Sequence, residues 1–449
     1  MPRYRKILIT LSILSYVDFF GIINTDLEYR LGGLKLYDVF VLLIVAHLAF
    51  LAVSSPVFRS RMLRRSATNT FISGYMLLVM CVAFSMKLRA PMNLIDSFKI
   101  ARDFFPLFLF FYIWYDIVVS GTLSFYEKLL KVLGIGFSLV FILTTLAPGF
   151  VGANFHGLTV KLVTSTGFKM PRTYGYGFVF PYLYFIYQYV QYYLTKKINY
   201  TQFFITFIGV SVQGFRSYFL GIFIVIFLIN IVFANRQRII NSLIGLFVLG
   251  SVIGIAATVI GGNFFEDKIM SIFTEVSGDE ANGTYAGREQ SDAMFRLPLL
   301  MKHPWFGIGF VHGECAYAES LGSIYKDRNY MLYSTDSGLV TMGVMFGFAG
   351  GAIILFLVLR YLYYLFRAVR GSPDTKFQQF AMTGFCYLVL LLVTLKTHGG
   401  LIYIYGLTPL VFLAGMLAGY QSLLKLADKY NPDMTASPQA FAASAPSFE

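Results

Sequence analysis

Apolar runs of membrane length alternate with short polar segments along most of the chain. A helix of about 20 apolar residues crosses the hydrocarbon core of a bilayer, so each run of that order predicts a transmembrane helix. The pattern places such helices at about 7–24, 35–53, 70–86, 98–119, 129–147, 175–194, 201–215, 217–234, 239–260, 337–360, 378–396 and 400–420. The expected fold is an all-α polytopic membrane protein with about twelve transmembrane helices.

The composition agrees with this class, because 57% of the 449 residues are hydrophobic and only 13% are charged. A water-soluble domain could not bury that much apolar surface. The formal net charge of +13 does not indicate nucleic-acid binding, since basic residues in a membrane protein mark its cytoplasmic loops and the sequence has no soluble basic domain. The cysteines form no disulfide pattern, since Cys81 and Cys386 lie inside apolar runs.

Basic residues cluster in alternate loops, which predicts how the helices are oriented. The richer loops contain Arg3, Arg5, Lys6, Arg59, Arg61, Arg64, Arg65, Lys128, Lys131, Lys196, Lys197, Arg236, Arg238, Arg367, Arg370, Lys376, Lys425 and Lys429. Loops rich in lysine and arginine stay in the cytoplasm. Both termini are therefore expected in the cytoplasm, and the longest polar segment is expected on the opposite, outer side.

The longest polar segment, residues 261–336, separates nine predicted helices in residues 1–260 from three in residues 337–430. It contains aromatic and apolar clusters and few charges, so we expect a folded cap over a site and not a disordered loop. A smaller outer loop spans residues 148–174. The tail, residues 431–449, is rich in Pro, Ala and Ser and is expected to be disordered.

An arginine interrupts the apolar stretch 201–234. One helix of that length would measure about 51 Å, more than a hydrocarbon core of about 30 Å, so two short helices with a turn near Arg216 are expected. That turn would lie below the outer surface, where an arginine usually faces a polar cavity. The alternative is that Arg216 reaches the lipid headgroups or caps a helix end.

Other charged residues fall at the same outer ends of the predicted helices. Arg102 and Asp103 begin one helix, Asp18 lies near the end of the first, and Lys396 lies near the end of the eleventh. Their shared depth favours a basic cavity in the outer leaflet. Alternatively, Arg102 and Asp103 neutralise neighbouring charges, while Lys396 and His398 anchor the membrane interface.

The outer loops supply candidate ligands for an anion. The smaller loop contributes Lys169, Arg172 and Tyr174, and the larger loop contributes Arg288. Together with Arg216 these give three arginines on one side of the membrane, and guanidinium groups pair bidentately with phosphate oxygens. The outer segments show no metal-ligand spacing and no phosphate-binding loop. We therefore expect no metal or cofactor, with the arginines neutralising a diphosphate themselves.

Asp336 precedes the helix that follows the large loop. A carboxylate at this position could take a proton from a hydroxyl and activate it as a nucleophile. It could also act as the N-cap of the helix. His303 and His312 compete for the role of base. His303 precedes Pro304 and fits a turn, whereas His312 is also a candidate for substrate binding.

These residues and their order resemble the superfamily of O-antigen ligases and lipid-linked polysaccharide polymerases. Its members carry an arginine, an apolar stretch and a Pro-x-x-Gly-x-Gly element, which Arg288 and Pro304-Trp305-Phe306-Gly307-Ile308-Gly309 match. An upstream element with Arg, Gly and Pro resembles residues 172–181, and a Ser-Arg-Gly element matches at Arg216 alone.

The ligases of this superfamily carry His-Asn before a helix and a glycine about eleven residues later. Here Asp336-Ser337 and Gly347 stand at those positions. The ligase histidine is thought to act as the base. Its replacement by aspartate favours the polymerase branch, in which this position varies.

The resemblance implies a GT-C-like fold in the bacterial inner membrane, with a large periplasmic loop between the ninth and tenth helices. It implies a metal-independent glycosyltransferase that moves a glycan from undecaprenyl diphosphate to a sugar hydroxyl of another lipid-linked repeat unit. Arg172, Arg216 and Arg288 would hold the diphosphate, and Asp336 would deprotonate or orient the acceptor hydroxyl. The other substrate-binding candidates are Lys169, Tyr174, Arg102, His312 and Lys396.

Two alternatives remain open. The first is an O-antigen ligase that transfers polymer to the lipid A core, and the second is a flippase for lipid-linked oligosaccharides. The expected partners are the undecaprenyl-diphosphate-linked oligosaccharide, membrane lipids and other polysaccharide-assembly proteins such as a chain-length regulator. Nucleic acid is not among them.

Overall fold

The structure, a computed structural model, describes residues 2–24, 35–56, 58–59, 66–90, 92–165, 168–213, 216–233 and 284–430. The predicted helix 239–260, the first part of the large loop (261–283) and the tail 431–449 lie outside the described residues.

The described chain is mostly helical. Its helices are α1 (Pro2–Tyr16), α2 (Leu36–Ser54), α3 (Ala67–Arg89), α4 (Leu94–Ala101), α5 (Leu107–Ser120), α6 (Leu123–Leu146), α7 (Pro148–Asn154), α8 (Phe180–Thr195), α9 (Tyr200–Val212), α10 (Arg216–Val232), α11 (Thr284–Ser291), α12 (Leu297–Lys302), α13 (Ala316–Leu321), α14 (Asn329–Leu332), α15 (Gly338–Gly371), α16 (Thr375–Val393) and α17 (Ile404–Tyr430). Its strands are β1 (Thr159–Ser165) and β2 (Phe168–Tyr174).

Within the described ranges, six helices are long and apolar enough to cross a membrane, namely α2, α3, α6, α15, α16 and α17. The pair α4 and α5 would add a seventh span, bent by 50°. The helices α9 and α10 are apolar but shorter. The chain therefore has the helical, membrane-spanning architecture that the sequence predicts, whereas the number of twelve spans stays a prediction.

Two helices end or are interrupted within stretches for which the apolar pattern predicts a continuous helix. The helix predicted at 98–119 is interrupted by a 3₁₀ turn at Arg102–Phe104 and resumes after Pro106. Proline has no backbone N–H and clashes with the preceding turn, which accounts for the bend. The helix predicted at 7–24 ends at Tyr16, because the backbone then turns left-handed.

The smaller outer loop contains a β-hairpin, a short extended element in a described chain that is otherwise mostly helical. β1 and β2 pair antiparallel, with Thr159 opposite Tyr174 and Lys161 opposite Arg172. The two strands carry Val, Thr, Phe and Tyr residues, which favour extended backbone. The hairpin holds Tyr174 beside the ends of the membrane helices, where the cavity described below lies.

Glycines on α17 allow close packing against α5. A Cβ on Gly415 would lie 2.9 Å from Ile113, and one on Gly419 would lie 2.8 Å from Ile117. Small residues at this four-residue spacing bring membrane helices together. At the end away from the large loop, α1 is joined to α5 by a buried ion pair, with Arg5 Nε 2.8 Å from Asp116 Oδ1.

Candidate functional site

A cavity of about 360 Å³, with both polar and apolar lining, opens at the end of the helices where the large loop attaches. This volume is within the range that holds small ligands. Residues that follow α1, flank the β-hairpin, precede α15 and flank the start of α17 line it, among them Asp18, His156, Tyr174, Asp336, His398 and Tyr405. The cavity thus joins five separate parts of the chain, including two predicted site residues, Tyr174 and Asp336.

A narrow, charged cleft adjoins the cavity, since Asp18 and Tyr176 line both. In the cleft, Lys35 Nζ lies 3.2 Å from the Tyr176 hydroxyl and 5.0 Å from the centre of its ring. Arg102 Nη1 lies 3.6 Å from Asp38 Oδ2. The predicted substrate-binding residue Arg102 is therefore next to the cavity, but it also neutralises a carboxylate, as the alternative interpretation expected.

Asp18 reaches the cavity on a left-handed turn. The φ angles of Asp18, Phe19, Phe20 and Gly21 are 48°, 49°, 64° and 79°. Left-handed backbone costs a residue with a side chain about 1–2 kcal/mol, so the surrounding structure must hold the turn in place. One such contact is the Gly157 N–H, which donates to the Gly21 carbonyl at 2.9 Å. Strain of this kind is typical of functional sites.

Asparagine is expected to replace Asp18 with less loss of stability than valine. Asn tolerates left-handed backbone better than other residues with a side chain, whereas Val is branched at Cβ. Asp18→Val should therefore lower the free energy of unfolding by about 1–2 kcal/mol more than Asp18→Asn does. Thermal unfolding of the two purified variants in the same detergent checks this order, and equal stabilities would contradict a left-handed turn.

Asp336 is an exposed residue at the edge of the cavity. Ser337, and not Asp336, occupies the N-cap position of α15, so the helix-cap interpretation of Asp336 is wrong. Its backbone N–H donates to Ser334 Oγ at 3.2 Å. Within the described part of the chain, its carboxylate makes no hydrogen bond or ion pair. The carboxylate is thus available to a molecule in the cavity.

Backbone hydrogen bonds fix the residues on both sides of Asp336. The Thr335 carbonyl accepts from the Gly399 N–H at 2.9 Å, and the Leu339 N–H donates to the Leu395 carbonyl at 3.0 Å. These bonds join the start of α15 to the loop after α16, which contains His398. Asp336 and His398 therefore line one cavity from two rigidly connected segments.

The helix that bears Arg288 packs beside Asp336. Ser337 Oγ donates to Asp292 Oδ2, and Arg296 Nε donates to Asp292 Oδ1 at 2.7 Å. Arg288 lies one helical turn before Asp292 and hence on the same side of the helix. It is partly exposed and makes no hydrogen bond or ion pair to a described residue. Arg288 is therefore near the cavity but does not line it.

Lys396 lies on the same side of the protein as Arg288. Its Nζ is 3.6 Å from Glu289 Oε1, and both side chains are mostly exposed. The pair joins the loop after α16 to α11. Lys396 was predicted as a substrate-binding residue, but it is not among the residues that line the cavity.

Three predicted site residues are described only by their backbone. Arg216 begins α10, and the next residue, Ser217, has its hydroxyl 3.1 Å from His398 Nδ1. Lys169 and Arg172 belong to β2, which ends at the cavity residue Tyr174. Arg216 is thus next in sequence to a residue that contacts the cavity residue His398, and Arg172 is two residues before Tyr174, while the directions of all three side chains lie outside the described structure.

His312 belongs to a different polar group on the outer face. Its Nδ1 lies 3.6 Å from Glu314 Oε2, and Lys99 Nζ lies 3.7 Å from the same oxygen. Burial lowers the pKa of His312, and the positive charge of Lys99 lowers it further. His312 is not among the residues that line the cavity around Asp336.

The predicted Pro-x-x-Gly-x-Gly loop inserts into a break in α15. The Ile308 N–H donates to the Val344 carbonyl at 2.8 Å, and the Phe348 N–H donates to the Pro304 carbonyl at 2.7 Å. In an unbroken helix the Phe348 N–H would donate to Val344. The loop therefore takes the place of the helical hydrogen bond between Phe348 and Val344 and satisfies both groups itself. Its Trp305 carbonyl also accepts from the Ala349 N–H at 3.0 Å.

Glycine is required on both sides of this junction. Gly307 has φ +61° and Gly347 has φ +66° with ψ −176°, a combination that only glycine adopts readily. A Cβ on Gly307 would lie 2.7 Å from the Gly347 nitrogen, and a Cβ on Gly347 would overlap the backbone of Trp305 and Phe306. The Pro-x-x-Gly-x-Gly element and Gly347, which are separate elements of the sequence resemblance, are thus in direct contact. This contact fixes the start of α15.

Several cavity residues were not predicted as site residues, namely Asp18, His156, Tyr176, His398 and Tyr405. The sequence signal that could have identified them is a polar side chain at the outer end of an apolar run. Asp18 and His398 share this signal with the predicted residues. Within the described residues, no group of three or more His, Cys, Asp or Glu side chains is placed to hold a metal ion. No protein-family model matches the sequence, and no curated protein matches it either.

Proposed function

We propose that the protein is a membrane glycosyltransferase of the polysaccharide polymerase type. It transfers a glycan from undecaprenyl diphosphate to a sugar hydroxyl of another lipid-linked repeat unit, at the periplasmic face of the bacterial inner membrane. The observation that carries the proposal is the open cavity at the ends of the membrane helices, with the carboxylate of Asp336 at its edge and the helix of Arg288 beside it. Sugars and a membrane-bound lipid could meet there.

The donor diphosphate requires the predicted arginines. Among the described residues that line the cavity and the cleft, carboxylates outnumber lysine and arginine side chains. The carboxylates are Asp18, Asp38, Asp103 and Asp336, and the basic side chains are Lys35 and Arg102. A diphosphate would be repelled by that balance. Arg172, Arg216 and Arg288 supply the missing positive charge in the proposal. The first is on the strand that ends at the cavity residue Tyr174, and the second precedes Ser217, which contacts the cavity residue His398.

The proposed reaction is a single displacement. The acceptor hydroxyl transfers its proton to Asp336 while its oxygen bonds to the anomeric carbon of the donor, and the bond from that carbon to the diphosphate breaks. The diphosphate leaves as an anion, which the guanidinium groups stabilise. The folded outer segment limits access of water, which would otherwise hydrolyse the donor.

The proposal extends to the architecture and the orientation. It includes twelve spans in a GT-C-like arrangement, both termini in the cytoplasm, and contact with assembly proteins such as a chain-length regulator. The basic residues Arg5 and Lys376 support this orientation, since both form ion pairs at the helix ends opposite the cavity. Basic residues at that end fit a cytoplasmic surface.

A second candidate is the ligase reaction, in which the acceptor is the lipid A core. The observation in its favour is His398, which lines the same cavity as Asp336 although it comes from the loop after α16. A histidine base, which the family ligases carry before the helix, would thus be available from elsewhere in the chain. The donor site would be the same in both reactions.

Replacing Arg288 with alanine tests the proposal. In a strain lacking the gene, Arg288→Ala at normal protein level is expected to give single repeat units in place of long polymer, because the leaving diphosphate loses a guanidinium. Arg288→Lys should restore only part of the polymer, since lysine cannot pair bidentately. The matched control is Arg328→Ala, which removes an exposed arginine of the outer segment. Polymer length on gels is the measurement.

The other outcomes of this experiment separate the alternatives. Long polymer in the Arg288→Ala strain would overturn the role of Arg288 in holding the diphosphate. Bare lipid A core in the null strain would favour the ligase. Accumulation of lipid-linked repeat units on the cytoplasmic side would favour a flippase over both enzymes.

A further inference from the structure

A row of large apolar side chains lies on the outside of the segment that leads into the inserted loop. We call this row the apolar ridge; it consists of Met294, Leu297, Met301, Trp305 and Phe306, all exposed. Met301 is 72% exposed and Trp305 is 69% exposed, whereas Leu299 and Leu300 on the other side of α12 are buried. A contiguous exposed apolar surface of this kind marks a site that something covers.

The apolar ridge continues the lipid-facing sides of two membrane helices. Arg89, the last residue of α3, donates from Nη2 to the Gly307 carbonyl at 2.9 Å and lies 6.0 Å from the ring centre of Phe306. The preceding residue, Leu88, is among the most exposed apolar residues of the described chain, and Phe348, directly after the break in α15, is also exposed. The ridge is therefore an extension of surfaces that face lipid.

The depth of the ridge follows from the length of α15 below the break. Along the helix, Gly347 lies about 20 Å from Arg360 and about 30 Å from Arg367, at 1.5 Å per residue. Arg367 lies 6.0 Å from the ring centre of Tyr363, and Arg and Tyr mark membrane interfaces. A hydrocarbon core of about 30 Å then reaches Gly347 or passes beyond it. The loop bonded to Gly347 lies at that same level.

The charges of the segment agree with this position. Arg296, the basic residue between Met294 and Leu297, is buried and paired with Asp292 on the protein side. Lys302 is exposed at the end of α12, where a long side chain can reach the headgroups. The outward face is thus apolar along the ridge, with a basic residue and an aromatic pair at one end, a pattern typical of interfacial helices.

We infer that the apolar ridge is embedded in the outer leaflet of the membrane, at the boundary between headgroups and acyl chains, with Trp305 and Phe306 as its anchors. Part of the segment that the sequence assigns to the large outer loop is therefore in contact with lipid. The inference is independent of the proposed reaction, since it rests on exposure, backbone contacts and helix length alone.

The protein contains two tryptophans, which makes the inference directly measurable. Trp114→Phe leaves Trp305 as the single tryptophan of the full-length protein in phosphatidylcholine vesicles. We expect its emission to be blue-shifted relative to tryptophan in water. We also expect lipids brominated near the headgroup end of the acyl chains to remove most of this emission, and lipids brominated near the terminal methyl groups to remove less.

The converse variant is the matched control. Trp305→Phe leaves Trp114, which is buried, with Nε1 3.0 Å from Ser422 Oγ and the ring stacked on Phe110. Its emission should be quenched much less than that of Trp305. If Trp114→Phe protein fails to fold, the emission lost between the unsubstituted protein and Trp305→Phe isolates the signal of Trp305.

Two results would overturn the inference. Emission of Trp305 at the wavelength of tryptophan in water, quenched by aqueous iodide and by neither brominated lipid, would place the ridge in solvent. Blue-shifted emission that neither iodide nor brominated lipid quenches would mean that protein covers the ridge, from a second copy of the chain or from a partner.

Discussion

Replacing Gly347 with alanine is expected to leave little correctly folded protein. Alanine cannot readily adopt φ +66° with ψ −176°, and its Cβ would overlap the backbone of Trp305 and Phe306. Because the overlap is with backbone, no side chain can rotate away to relieve it. The strain and the overpacking together should lower the free energy of unfolding by about 3 kcal/mol or more. The measurement is the fraction of monodisperse protein that survives heating in detergent.

Gly351→Ala is the matched control for this change. Gly351 is buried in the same helix, four residues after Gly347, and a Cβ there would meet only the Met342 methyl group at 3.8 Å, an ordinary contact. Alanine within a regular helix is more favourable than glycine by up to about 1 kcal/mol. Gly351→Ala protein should therefore be as stable as the unsubstituted protein or more so. A Gly347→Ala protein that is equally stable would show that α15 runs unbroken through this position.

The hydrophobic pattern predicts most of the described helices, because burial in lipid depends on the number of consecutive apolar residues. It predicts their breaks less well. The division of the apolar stretch 201–234 into α9 and α10 was predicted, since a charged residue lies within it. The break at Gly347 was not, because glycine also occurs inside regular membrane helices. Only the distant loop that bonds to Val344 and Phe348 shows that this glycine departs from the helix.

Residues of the candidate site could be predicted where a polar side chain is next in sequence to a predicted membrane helix, as Asp336 and Tyr174 are. It was not predictable where it depends on backbone conformation or on packing between distant segments. Asp18 enters the cavity through left-handed backbone at Asp18 and the two residues that follow, which residue preferences do not favour. His312 lies close in sequence to the Pro-x-x-Gly-x-Gly loop, yet it contacts Glu314 and not the cavity.

Replacing Asp336 with asparagine is expected to abolish polymer formation without loss of folded protein. The amide keeps the size of the side chain but cannot accept the proton of the acceptor hydroxyl. Loss of a general base typically lowers turnover by about 10²–10⁴-fold. The stability should change by less than about 0.5 kcal/mol, since the exposed carboxylate makes no contact within the described chain that the substitution would break. Turnover of a defined lipid-diphosphate oligosaccharide by purified protein in EDTA is the measurement.

Three further variants are needed to interpret this result. Glu319→Gln removes an exposed carboxylate of the outer segment that pairs with Lys326 outside the cavity, and it should leave turnover unchanged. Asp336→Glu keeps a base but displaces it by one methylene, so its turnover should fall between those of the asparagine variant and the unsubstituted protein. If Asp336→Asn turns over normally while His398→Gln does not, the base is the histidine that lines the same cavity. The argument for a polymerase from a carboxylate base would then fail, and a histidine base would favour the ligase reaction.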